Sequence, residues 1–281
     1  MLNNRQHSTK FLGKISNFCK INASIIQGSG LGPANFLVDI SSLRTLYSSN
    51  CLLKYADDSN LLIPASAIST TSSELENIAK WALASNLKLN SSKSKEMIIR
   101  RPKSKITDIP PPILGISRVS ELCVLGVAMS DRLSFSPHID KICIKANQSL
   151  YAIRVLIAHG LCGLRLYDVV RATTLARLLY ASPAWSGFAN AGQRARLNAI
   201  VRKLIRLKLL PDGFDSFDVL SDRANSVLFS AVLHNPSHVL HDLLPPIKSI
   251  AYSLRPRSHN REIPMADTLT RMNFITHMLY L

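Results

Sequence analysis

The spacing of apolar residues changes near residue 130, and this change constrains the fold more than any other feature of the chain. Before it, short apolar runs such as "CLLKYA" (51–56) are bounded by turn-forming residues, as β-strands are. From Ser136 onward, apolar residues recur every three or four positions over long stretches, as they do on helices. The sequence therefore predicts an α+β fold, with a strand-containing domain over 1–130 and an all-helical domain over 135–281.

The first half of the strand-containing domain is predicted to hold a helix and a hairpin. Residues 1–27 indicate a loop with one or two short strands. Pro33 ends the glycine-rich stretch "QGSGLGP" and is well placed to begin a helix over 34–48. The runs "CLLKYA" and "NLLIPA" then predict two strands of an antiparallel hairpin.

The second half of this domain is predicted to hold one more helix and further strands. A helix is expected over 73–87, because Ser and Thr caps precede a stretch with helical periodicity. The residues that share its predicted apolar face are Leu75, Ile78, Ala79, Ala82 and Leu83. The stretches "KEMIIRR" and "ELCVLGVAM" predict strands on either side of the proline-rich turn "DIPPPILG".

The second domain is predicted to consist of successive helices over 136–158, 163–181 and 190–210. Glycines 160 and 163 separate the first two, and "SPAWSGF" separates the second from the third. The stretch "YSLRPRSHNREIP" near the carboxyl end is too rich in Pro and Arg for regular structure, so we expect a loop there.

The helix predicted around 194–208 has one apolar face and one basic face. Helical geometry places Leu197, Ile200, Val201 and Leu204 together. It places Arg196, Arg202, Lys203 and Arg206 on the opposite side. Such a basic stripe predicts contact with a nucleic-acid backbone, and a solvated helix face is the alternative.

The overall charge also favours a nucleic-acid partner. The chain has 34 Lys and Arg against 18 Asp and Glu, which gives a net charge of +16. A basic surface favours polyanionic partners, because each phosphate contact releases counterions. The alternative is a basic protein with no nucleic-acid role.

Several features together predict an intracellular protein, in the nucleus or the cytoplasm. The five cysteines are far apart and form no C-x-x-C pair, which fits a reducing compartment better than a disulfide framework. No apolar run reaches the roughly 18 residues of a membrane span. The stretch "MLNNRQHSTK" lacks the apolar core of a signal peptide.

Two adjacent acids, Asp57 and Asp58, lie between the two strands of the predicted hairpin. Paired carboxylates at such a tip can hold Mg²⁺ or Mn²⁺ beside a phosphate, because these hard cations prefer oxygen ligands. Two metals held there could stabilise the attacking and leaving oxygens of phosphoryl transfer. An ordinary β-turn is the alternative, since Asp is favoured in turns for backbone reasons.

Several blocks in order along the chain resemble the reverse transcriptases of non-LTR (LINE-type) retrotransposons. They are "QGSGLGP", "YADD", "NSSKS" and "LGV", which resemble that family's Q-G-S-x-L-G-P, Y-A-D-D, N-x-x-K-[ST] and L-G-V motifs in order and spacing. The stretches "SLYAIRVLIAHGL" and "LYDVVRATTLARLLYASPAWSGF" resemble the helical region that ends these polymerases. The resemblance covers nearly the whole chain and implies a partial polymerase palm followed by a helical, thumb-like domain.

The resemblance implies a role for each matching residue. Asp57 and Asp58 would bind the catalytic metal, Tyr55 would lie near the primer terminus and the incoming nucleotide, and Lys93 would offset charge on the leaving pyrophosphate. Gln27, Gly28 and Ser29 would line the nucleotide and template pocket. Leu125, Gly126 and Val127 would belong to a hairpin that grips the primer.

The implied activity is RNA-directed DNA polymerisation, a nucleotidyl transfer that depends on Mg²⁺ or Mn²⁺. The implied partners are an RNA template, an RNA–DNA hybrid and dNTPs, and no membrane. Ile26 and Ser42 depart from the residues, Pro and Asp, that are usual in the family at those positions.

A further departure concerns the metal site. The family uses another aspartate, from a strand well upstream of the Q-G-S loop, and a fingers domain lies further upstream. Asp39 is the sole acid among residues 1–56, and it lies after the loop. We therefore expect a truncated remnant of a transposable element whose isolated chain is inactive. The alternative from another class is a non-enzymatic nucleic-acid-binding remnant that uses its basic helical domain.

Overall fold

The computed structural model describes residues 5–21, 30–101, 109–248 and 259–281. These residues combine α-helices with small two-stranded sheets, so the predicted α+β class is confirmed. The chain divides into two compact units, Met1–Lys93 and Ser94–Leu281. The domain boundary predicted near residues 130–135 falls inside the second of these units.

The strands of the first unit form hairpins. They are β1 (Arg5–His7), β2 (Lys10–Phe11), β3 (Lys14–Ile15), β4 (Cys19–Ile21), β5 (Cys51–Tyr55) and β6 (Asp58–Leu62). β2 pairs with β3 inside the longer pairing of β1 with β4, and all of these pairs are antiparallel. The β5–β6 hairpin was predicted, whereas the sequence suggested fewer strands before residue 27.

The first helix is α1 (Gly32–Ser41), which carries Pro33 in its first turn as predicted. It ends earlier than the predicted residue 48. A side chain from β5 satisfies the backbone where the helix ends. Lys54 Nζ donates hydrogen bonds to the carbonyl oxygens of Ile40 and Leu43, at 2.7 and 2.8 Å. These carbonyls lie at the end of the helix and find their donor in a side chain instead of in another helical turn.

The second helix is α2 (Thr71–Ala84), after a 3₁₀ segment over Ala65–Thr70. It was predicted to continue to residue 87. Asn86 ends it by adopting a left-handed φ of 53°, and the Leu87 amide donates to the Ala82 carbonyl at 2.8 Å. This six-to-one hydrogen bond is the Schellman arrangement that commonly stops a helix.

The second unit begins with four strands. They are β7 (Lys95–Glu96), β8 (Ser117–Arg118), β9 (Glu121–Val124) and β10 (Val127–Ser130). The run "ELCVLGVAM" was predicted as one strand, but β9 and β10 are separated by a turn and pair antiparallel. The predicted strand "KEMIIRR" is reduced to β7, which pairs parallel with β8.

Arg118 explains why the proline-rich turn lies beside β7. Its guanidinium makes two hydrogen bonds of 2.9 Å to the Glu96 carboxylate and donates to the carbonyls of Pro110 and Pro111. The hydrogen bonds from Arg118 hold the pKa of Glu96 below its usual value. Beyond β7, Arg100 pairs with Asp131 instead of continuing the strand.

Most of the described residues after β10 are helical. The helices are α3 (Ser136–Ala158), α4 (Gly163–Val170), α5 (Ala176–Leu179), α6 (Ser182–Trp185), α7 (Ala191–Arg206), α8 (Phe217–His234), α9 (Thr268–Arg271) and α10 (Phe274–Tyr280). The bounds of α3 agree with the prediction. The helix predicted over 163–181 is interrupted by a π-helical turn over Arg171–Leu175, a local widening of the kind often found at functional or strained positions.

The main core of the second unit surrounds Trp185 and Phe217. Both side chains are fully buried, and their rings stack with centroids 5.8 Å apart. The apolar face predicted for α7 packs into this core, since Leu197, Ile200, Val201 and Leu204 are all buried. A smaller core joins α8 to α10 through Phe229, Val232, Ile275, Met278 and Leu279.

Among the residues that the structure describes, no helix is long and apolar enough to cross a membrane.

Candidate functional site

The two adjacent aspartates lie at the tip of the β5–β6 hairpin. Ala56 and Asp57 form the two-residue turn, and Asp58 begins β6 directly opposite Tyr55. Ala56 adopts a left-handed φ of 50°, an unusual conformation for a residue with a Cβ atom. Both aspartates are exposed to solvent, so both are accessible to a cation.

The two faces of this hairpin differ. Leu53 and Tyr55 project from one face and are 53% and 66% exposed. Leu52 and Lys54 project from the other face and are half-buried. Lys54 reaches the end of α1 through the two hydrogen bonds described above, and burial, followed by the charge of Arg44, lowers its pKa. The strand that carries Tyr55 to the tip is therefore anchored from its inner face.

A buried carboxylate fixes the segment that leads into β5. Glu74, in the first turn of α2, is almost fully buried. It accepts hydrogen bonds from the backbone amides of Leu46 and Tyr47, at 3.0 Å, and from the Asn50 side chain, at 2.9 Å. Burial alone would raise the pKa of Glu74, but these three donors outweigh it and hold the pKa below its usual value.

Sequence reasoning missed Glu74 as part of the site. An acid in the first turn of a helix interacts favourably with the helix dipole while exposed, so its position gave no sign of burial. The loop rich in polar residues before β5, "TLYSSN" (45–50), was the available signal, because its amides need acceptors wherever they are buried.

Lys93 lies at the end of the first unit and is exposed. Its backbone amide donates to the carbonyl oxygen and the side-chain oxygen of Asn90, at 3.1 and 3.2 Å. Asn90 thus closes a local turn through its own side chain, as Asn often does. The N-S-S-K block is a turn that presents a lysine to solvent, in the same compact unit as Asp57 and Asp58.

The glycine-rich stretch "QGSGLGP" (27–33) precedes most of α1 in the sequence and overlaps its first two residues. Gln27, Gly28 and Ser29 lie outside the described residues. The described chain resumes at Gly30 and enters α1 two residues later.

The "LGV" block forms the turn between β9 and β10 in the second unit. Leu125 and Gly126 occupy the turn with φ values of 47° and 85°, which is the sign pattern of a type I′ turn. Val127 begins β10 and is buried in the core beside α3. Leu125 is 41% exposed, so the turn itself reaches the surface.

The basic face of α7 is only partly available. Arg196 pairs with Asp140 at 2.7 Å, and Lys203 Nζ donates to the Asn147 side chain at 3.1 Å. Arg202 and Arg206 are exposed and have no hydrogen-bond or ion-pair partner among the residues that the structure describes. Of the four cations in the predicted stripe, two therefore bind side chains of α3 and two face solvent.

No family, curated protein or solved structure matches this chain.

The hairpin tip offers two exposed carboxylates, the kind of oxygen ligand that divalent cations prefer. Mg²⁺ is commonly held by one or two carboxylates together with waters and substrate phosphates, and Asp57 and Asp58 can supply such carboxylates. Within residues 5–21, 30–101, 109–248 and 259–281, no group of three or more His, Cys, Asp or Glu side chains is placed to hold a metal. The tip can therefore contribute two ligands, and a full site requires ligands from elsewhere.

Proposed function

We propose that this chain is part of the reverse transcriptase of a non-LTR retrotransposon. One observation carries the proposal: Asp57 and Asp58 are exposed at the tip of a two-residue hairpin whose first strand, β5, is anchored from its inner face by Lys54. The resemblance of four sequence blocks in order adds support. A metal-binding hairpin needs this combination of a fixed backbone and free carboxylates.

The proposed chemistry is nucleotidyl transfer to a primer paired with RNA. Asp57 and Asp58 would hold Mg²⁺ or Mn²⁺, which stabilises the charge that develops on the attacking and leaving oxygens. Tyr55 is exposed opposite Asp58 and would lie beside the primer end. Exposed Lys93 would offset negative charge on the departing pyrophosphate.

We further propose that these 281 residues are inactive by themselves. The resemblance implies a third carboxylate from a strand that precedes the Q-G-S loop, and Asp39 is the sole acid among residues 1–56. Asp39 is exposed on α1, after that loop. Without a third ligand the metals are not held in a fixed geometry, and loss of positioning on this scale costs orders of magnitude in rate.

Primer extension on an RNA template tests both statements. The purified chain is assayed alone, and also as a fusion to an upstream fingers-and-palm segment of an active non-LTR reverse transcriptase that carries the implied third carboxylate. We expect no dNTP incorporation by the chain alone and measurable incorporation by the fusion. In the fusion, Asp57→Asn and Asp58→Asn should each lower the rate by at least about a hundredfold.

Asp39→Asn is the matched control, because it removes an exposed acid from the same compact unit without touching the hairpin. It should leave incorporation unchanged. Incorporation by the chain alone would overturn the proposed inactivity. Incorporation by the fusion that survives both hairpin substitutions would overturn the assignment of the metal ligands.

A second candidate function is nucleic-acid binding without catalysis. The observation that favours it is the pair of solvent-facing cations on α7, Arg202 and Arg206, on a chain with a net charge of +16. Cations without an intramolecular partner are free to replace counterions on a phosphate backbone.

Salt-dependent binding to an RNA–DNA hybrid tests this candidate. Arg202→Ala and Arg206→Ala together should weaken binding and reduce the slope of log affinity against log salt by about 2. Arg196→Ala and Lys203→Ala should weaken it less, since both side chains have partners on α3. Hybrid binding that survives Asp57→Ala and Asp58→Ala but requires the α7 cations would favour this candidate over the polymerase.

A further inference from the structure

The turn between β9 and β10 is held by a side chain from the helical part of the same unit. The Tyr180 hydroxyl donates a hydrogen bond of 2.8 Å to the carbonyl oxygen of Leu125, across 55 positions of sequence. The Tyr180 ring also lies against Gly126, where a Cβ atom would be 3.3 Å from ring atom Cε1. Tyr180 thus contacts both residues of the turn.

The backbone of Tyr180 is tied to the core, while its side chain lies at the surface and is 53% exposed. The buried Trp185 indole donates to the Tyr180 carbonyl oxygen at 3.0 Å. Trp185 is stacked on Phe217 and meets His138 edge to face, with ring centroids 5.2 Å apart. A series of contacts therefore connects the centre of the core, through Tyr180, to a surface turn.

The turn needs such support. Leu125 adopts a left-handed φ, which is unfavourable for a residue with a bulky side chain. The cost of one left-handed residue is comparable to the free energy of one neutral hydrogen bond. The free energy of the hydrogen bond from the Tyr180 hydroxyl can therefore offset the cost of the left-handed conformation of Leu125.

We propose that Tyr180 is a positioning residue for nucleic-acid binding, acting through the Leu125–Gly126 turn. The inference rests on the proposed function, because the resemblance to these reverse transcriptases implies that this turn grips the primer strand. Tyr180 does not need to touch the nucleic acid. It holds Leu125 at the surface in the orientation that the primer strand meets.

Tyr180→Phe is the test variant, because it removes the hydroxyl and keeps the ring against Gly126. Two quantities are measured on the full chain: amide hydrogen exchange at Val124 and Val127 without nucleic acid, and affinity for an RNA–DNA hybrid. We expect exchange to become about 5- to 10-fold faster and affinity to fall about 3- to 10-fold, the size that loss of one hydrogen bond allows. Tyr151→Phe is the control, an exposed tyrosine of the same unit that should change neither quantity.

A rescue variant separates positioning from a general loss of stability. Leu125→Asn creates Asn-Gly, the pair that adopts this kind of turn most readily. Introduced together with Tyr180→Phe, it should restore slow exchange at Val124 and Val127, because the turn then no longer depends on the hydroxyl.

The two ways of failing are distinguishable. Unchanged exchange at the turn in Tyr180→Phe would overturn the positioning role of Tyr180. Faster exchange with hybrid affinity that neither Tyr180→Phe nor Leu125→Ala alters would overturn the nucleic-acid role of the turn, whereas the proposed function fails separately, in the primer-extension assay of Asp57 and Asp58.

Discussion

The side-chain amide of Asn50 donates a 2.9 Å hydrogen bond to the carboxylate of Glu74, which lies 24 positions later and is almost fully buried. The same carboxylate accepts the amides of Leu46 and Tyr47. A buried charge is costly unless hydrogen bonds satisfy it, and here three donors converge on it. These four residues thereby fix the segment that leads into β5, the first strand of the aspartate hairpin.

Glu74→Gln should destabilise the first unit by about 2 kcal/mol. The substitution replaces a charged acceptor with a neutral amide, and its NH₂ group then faces amide donors. Urea denaturation should show a lower midpoint. Glu76→Gln is the control, because the Glu76 side chain is 66% exposed and pairs with Lys80 on the helix surface. It should leave the midpoint unchanged, and equal effects of the two substitutions would contradict the structural role of Glu74.

The stability of the second unit should fall as the pH drops below about 6.5, because of His138. Burial, followed by the charge of Lys141, lowers the pKa of this histidine. Its Nδ1 atom accepts the Ala128 amide at 3.4 Å, a bond that only an unprotonated Nδ1 can make. The folded state therefore binds fewer protons than the unfolded state below the ordinary histidine pKa, and acid favours unfolding.

Thermal melts between pH 7.5 and pH 5 measure this effect. His138→Asn keeps an acceptor near Ala128 but cannot titrate, so its melting temperature should vary less with pH over that range. His159→Asn, at an exposed position after α3, should retain the pH dependence of the unchanged chain. A His138→Asn variant with an unaltered pH dependence would contradict this assignment.

The conformation of Ala56 predicts opposite effects for two substitutions beside the aspartates. Ala56→Gly should be tolerated or stabilising by up to about 1 kcal/mol, because glycine adopts positive φ without strain. Ala56→Val should be destabilising, since a β-branched residue is a marked outlier there. Hydrogen exchange across β5 and β6 measures both, and equal protection in the two variants would show that the turn does not require a left-handed residue.

Gly187 should not tolerate a side chain. A Cβ atom at this position would lie 2.3 Å from the backbone carbonyl oxygen of Met272, far inside contact distance. Gly187→Ala should therefore destabilise the second unit by about 2 kcal/mol, measured by urea denaturation.

Gly192→Ala is the matched comparison in α7. Among the described residues, a Cβ atom there would meet only the Asn190 side-chain oxygen, at 3.4 Å, and alanine favours a helix over glycine by up to about 1 kcal/mol. The two alanine substitutions should thus have opposite signs. A Gly187→Ala protein as stable as the unchanged chain would mean that the segment around Met272 does not pack on Gly187.

The helices of the second unit could be predicted because their signals are local. Pro137 and a regular apolar spacing define α3, and the buried face of α7 follows from helical geometry alone. Periodicity indicates which residues share a face, but not whether anything packs against that face. Leu83 belongs to the predicted apolar face of α2 and is nevertheless 81% exposed.

The features that the sequence did not reveal depend on distant partners. The contacts of Glu74, the parallel pairing of β7 with β8 and the Tyr180–Leu125 hydrogen bond all join residues that are far apart in the chain. The pairing of the two strands that flank the aspartates was predicted and is confirmed. Metal binding and catalysis by this hairpin remain predictions. Carboxylates at a turn satisfy backbone preferences and metal binding equally well, so the sequence pattern alone does not separate the two.

The hydrogen bond between Tyr180 and Leu125 also implies an order of folding. A two-residue hairpin forms within microseconds, but a contact across 55 positions must wait until the intervening chain has been organised. During refolding, the β9–β10 hairpin should therefore be present before its turn is fixed. The turn should reach its final conformation only in the last kinetic phase, together with burial of Trp185.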